Sequence, residues 1–126
     1  MTYLNSYYLV DKQKQLMRMV NFYEKQIDVL DKMLEEFTHK HNTLNEEKES
    51  NYFHEKFVEK QNLINELKHD LNVNNFLLTR DLAQNQGKMS DVYVTENKHI
   101  EEHVVSFEKE VNELSKDFKL YILDKI

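Results

Sequence analysis

Apolar residues step along this chain by alternating fours and threes, in three separate stretches. The first runs Leu16, Val20, Tyr23, Ile27, Leu30, Leu34, Phe37, His41, Leu44, with His41 its one polar intruder. The second runs Phe53, Phe57, Lys60, Ile64, Leu67, Leu71, Asn74, Leu78 and then slips by one to Leu82; Val58, Leu63, Phe76 and Leu77 widen it. The third runs Tyr93, Asn97, Ile100, Val104, Phe107, Val111, Leu114, Phe118, Tyr121. A repeat of 3.5 residues lines up one face of a helix and winds it left-handedly around its neighbours. Three such stripes predict three long helices sharing one core.

Composition supports the same fold by exclusion. There is one glycine, Gly87, and no proline, too few breakers for the tight turns of an all-β fold or for a phosphate-cradling loop. The absence of cysteine excludes disulfides, thiolate metal sites and cysteine nucleophiles. At 126 residues the length suits a single domain. The net charge is −6 and no basic stripe is present, so nucleic acid and anionic lipid are not expected partners. No stretch approaches the about 18 apolar residues of a spanning helix, and Met1–Tyr8 lacks the basic start of a signal peptide; both point to a cytoplasmic protein off the membrane.

The breaks between stripes set the layout. Gly87 can end one helix in a left-handed conformation, and Ser90 can cap the next with Asp91 at its positive end. The first break has two candidates. Polar residues 48–51 interrupt the stripe, with Ser50 or Asn51 as cap, whereas Thr43-Leu44-Asn45-Glu46 fits a capping box. Equal helix lengths favour the former, giving helices at about 5–48, 51–86 and 90–125 in one domain spanning 1–126. The expected fold is an all-α, antiparallel up-down-up three-helix bundle with coiled-coil packing. A long helical hairpin dimerising into four helices is the alternative if the first break is absent. The preferred layout puts Leu34 level with Ile64 and Val111, and Ile27 with Leu71 and Val104. His41 then joins Phe57 and Phe118, and Val20 joins Leu78 and Asn97. In form alone it resembles a spectrin-type repeat without the characteristic tryptophan.

In this frame residues 1–12 overhang the bundle. They hold an apolar group, Tyr3, Leu4, Tyr7, Tyr8, Leu9 and Val10. Tyr3, Leu4, Tyr7, Tyr8 and Val10 are therefore candidate partner-binding residues, unless they fold back to close the core.

Three Glu-x-x-His pairs, Glu36/His39, Glu66/His69 and Glu96/His99, have the spacing used by ferritin-like di-metal carboxylate bundles. The stripe phase turns the first two outward and leaves the third at the boundary, so no metal or other cofactor is expected. His99 and His103 stand one turn apart and could chelate a surface ion. Asn74, Asn97 and Lys60 read as register devices on the seams. No nucleophile–base pair appears. The expectation is a non-enzymatic scaffold, adaptor or assembly protein working by helix–helix contact, as a homo-oligomer and most simply a dimer. An iron or manganese carboxylate bundle is the alternative.

Overall fold

A computed structural model describes residues 3–40, 43–84 and 91–126; at 3–7, 45 and 91 it describes the backbone alone. Three helices follow in chain order, α1 (Tyr3–Lys40), α2 (Leu44–Gln84) and α3 (Asp91–Lys125), and each packs on the other two. Early residues of α1 meet late residues of α2: Glu24 pairs with Lys68, and Asp31 with His54. Between α2 and α3 the order is again reversed, with Lys60 on Glu110 and Glu49 on Lys125. The fold is the expected antiparallel three-helix bundle, and the long-hairpin alternative does not hold because the chain reverses between Lys40 and Leu44.

The apolar stripes face inward with the predicted phase. Leu16, Val20, Ile27, Phe57, Ile64, Leu71, Val104, Val111 and Phe118 are almost wholly buried. Rings gather near one end, where Phe57 and Phe53 each lie 5.3 Å from Phe118, and Phe37 lies 5.3 Å from Tyr121. Lys60 keeps its seam position by running its stem along the core and setting Nζ 2.7 Å from a Glu110 carboxylate oxygen.

The first turn lies earlier than equal lengths suggest. Thr43 caps α2: its Oγ1 accepts from the Glu46 N–H at 3.2 Å and its carbonyl accepts from the Glu47 N–H at 2.9 Å. Glu46 and Glu47 add negative charge at the positive helix end. The boundaries 5–48 and 51–86 are thus corrected. Ser50 is buried on the α2 seam and caps nothing, and Leu44, expected on the first stripe, is 68% exposed. The local capping chemistry outweighed the length argument. The third helix begins within one residue of expectation. His41, Gly87 and Ser90 lie outside the described residues.

Moving that turn slides α1 along its neighbours. The register between α2 and α3 is as expected, with Phe57 on Phe118. Tyr23, however, lies against Phe107, and Phe37 against Tyr121. The expected layers would have set them beside His99 and Glu113, about two helical turns away. The layers assigned to Leu34, Ile27 and Val20 are corrected accordingly: Val20 comes level with Val104, and Ile27 with Val111.

Two consequences follow. Residues 8–10 do not overhang: Leu9 is buried against Leu78, with Val10, Leu82, Tyr93 and Val94 around them. One step inward along each seam stand Gln13, Asn74 and Asn97, each 3% exposed. One step further are Leu16, Leu71 and Ile100 of the main core. A polar layer therefore separates a small end cluster from the main core. Among the described residues Gln13 Nε2 and Oε1, Asn74 Nδ2 and Asn97 Oδ1 meet no hydrogen-bonding group, a cost of about 1–3 kcal/mol for each unsatisfied group.

Candidate interaction surface

A second stripe runs along α1 beside the seam. Tyr8, Lys12, Gln15, Met19, Phe22, Gln26, Val29 and Met33 each immediately precede a seam residue. One residue is about 100° of helical turn, so this row opens to the side of the core. Met19 still packs on the core, while Phe22 is 55% and Val29 57% exposed. Phe22 lies edge-on to the buried Tyr23, at 5.1 Å and 82°. Ser115 and Lys119 of α3 form the opposite wall of a groove of about 450 Å³ that holds Phe22, Val29 and Met33. Scattered exposed hydrophobics are normal on a soluble protein; here they form an aligned row in a groove.

The sequence candidates divide here. Tyr3, Leu4 and Tyr7 open α1, and their side chains lie outside the described set. Tyr8 is exposed and starts the second stripe, whereas Val10 turns the other way into the end cluster. Phe22, Val29 and Met33 went unread. The available signal was a second row at heptad spacing, hidden because each member sits next to a stronger core residue. On α2 the widening residues split: Leu63 packs on the core, while Val58 and Phe76 are exposed, as is Val73 three residues before Phe76.

All six residues of the Glu-x-x-His pairs are exposed, the third pair included. A di-iron bundle needs such pairs converging inward, and these do not converge. Among the described residues no three His, Asp or Glu side chains are placed to share one metal ion. His99 and His103 are both exposed.

Among the described residues one ionisable group is clearly perturbed. Burial raises the Tyr23 hydroxyl above its ordinary value of 10.0; the Asn112 side chain opposes this through a hydrogen bond, and the Glu108 carboxylate adds to it. This lies where α1 meets α3 and serves packing. Among the described residues no helix is long and apolar enough to cross a membrane. No protein-family model, curated protein or solved structure matches the chain.

Proposed function

We propose that the chain is a non-enzymatic helical scaffold or adaptor of the cytoplasm that works by burying helix against helix. The observation that carries this reading is the second stripe. The three seams already fill one another within a single chain, yet Phe22, Val29 and Met33 form a further heptad-spaced row that no other part of the described residues covers. A row of that kind suits another helix. Self-association, most simply as a dimer, fits the outer face of α2, where Phe76 is 64% and Val73 43% exposed.

Light scattering on gel-filtered protein tests the homo-oligomer. The expected mass is twice the 15.3 kDa of the chain. Phe76→Ser should return it to one chain without loss of helical circular dichroism, because that ring is exposed. A wild-type monomer at high concentration would remove the oligomer claim.

A further inference from the structure

The geometry points to the α1/α3 groove as a docking site for an acidic amphipathic helix of another protein, an inference that rests on the interaction reading above. Spacing specifies the shape of the occupant. Met19, Phe22, Val29 and Met33 extend over about 21 Å, or four helical turns, in the steps that receive side chains of a facing helix.

Charge specifies its sign. The groove is lined by Lys25 and Lys119 and by no carboxylate. Arg18 and Lys32 stand seven residues to either side of Lys25 and continue its ridge, and Lys116 lies one turn from Lys119. None of these five cations is ion-paired among the described residues, whereas Lys12, Lys60 and Lys68 are held by Glu101, Glu110 and Glu24. Glu108, one heptad before Ser115 on α3, is engaged with the Tyr23 hydroxyl, and Glu113 lines a neighbouring α3 groove together with Lys109 and Lys116. A chain of net charge −6 thus sets two lysines, Lys25 and Lys119, and no carboxylate in the lining of this groove, with Glu36 lying beyond its Met33 end. Two copies meeting groove to groove would set these cations against each other. A helix with apolar residues on one face and Glu or Asp along both margins would neutralise them.

The probe is a fluorescein-labelled three-heptad peptide with Leu at the core positions and Glu at the flanking ones, titrated with the full chain. A Lys-flanked peptide is the control. The Glu peptide is expected to bind at least about tenfold more tightly than the Lys peptide, and less tightly as salt rises. Lys25→Glu with Lys119→Glu should weaken it about tenfold and favour the Lys peptide. Phe22→Ser with Val29→Ser should abolish binding, with helicity checked by circular dichroism. Equal binding of the two peptides, no binding up to about 1 mM, or indifference to both double variants would overturn the proposal. So would a wild-type dimer dispersed by Lys25→Glu with Lys119→Glu, since the occupant would then be the acidic outer face of α2, with Glu59 and Glu66, from a second copy. A dimer dispersed only by Phe76→Ser, with neither peptide bound, ends the docking proposal and leaves the scaffold reading standing.

Discussion

Tyr23 of α1 meets Phe107 of α3 edge-on, with ring centroids 6.1 Å apart and planes at 90°. The same offset brings Phe37 to Tyr121, so α1 and α3 run parallel and level. Carried toward the other end, it sets Gln13 beside Asn97, with Asn74 at the same level on α2. A slip of α1 by one heptad would leave nearly every apolar side chain on an apolar neighbour. It would also move Gln13 to the level of Val104 and strand both asparagines. The polar layer therefore distinguishes registers that the apolar seam treats alike.

Replacing Gln13, Asn74 and Asn97 together by Leu should stabilise the bundle by about 1 kcal/mol per residue, because Gln13 Nε2 and Oε1, Asn74 Nδ2 and Asn97 Oδ1 are buried without a partner among the described residues. Register should loosen at the same time. Chemical denaturation reads the first effect, and duplicated amide peaks in a two-dimensional NMR spectrum read the second. A less stable triple variant would contradict this account of the layer.

The two candidate caps of α2 respond differently. Thr43→Ala removes the acceptor of the Glu46 N–H and should cost about 1 kcal/mol. Ser50→Ala removes a buried hydroxyl that has no hydrogen-bond partner among the described residues, so urea midpoints should stay level or rise. The opposite ranking would return the turn to residues 48–51.

Truncation should separate core from surface rings. Phe57 and Phe118 have no solvent exposure, and changing either to Ala should cost about 3–5 kcal/mol. Phe22→Ala, on the exposed stripe, should stay within about 0.5 kcal/mol. Equilibrium unfolding of the three variants makes the comparison.

Alkaline stability should report Tyr23. Its hydroxyl titrates above 10.0 in the folded chain, chiefly through burial. The unfolded chain then releases this proton first, so stability is fully present below pH 10 and is lost as pH rises through the raised value. Tyr23→Phe should flatten the fall in unfolding free energy above pH 10 relative to the parent. Parallel curves would show that another group sets the slope.

The stripes determined the fold class and the inward face of every helix, because helical periodicity is local and side chains repeat along it regardless of what they meet. Ile27, Leu71 and Val104 could be placed in the core one by one, and the first two Glu-x-x-His pairs placed outside it, on phase alone; the third, Glu96/His99, stood at the boundary until the structure showed it exposed. The cap at Thr43 was also legible, but a length argument competed with it. Axial register was not legible. A heptad stripe maps onto itself after a shift of seven, so Leu34 fits about as well beside Val111 as beside Phe118. Only the position of the turn and the meeting of Gln13, Asn74 and Asn97 from three distant segments decide between them. The exposed row of Phe22, Val29 and Met33 is tertiary in the same sense: a residue next to a seam is covered or open according to where the third helix lies.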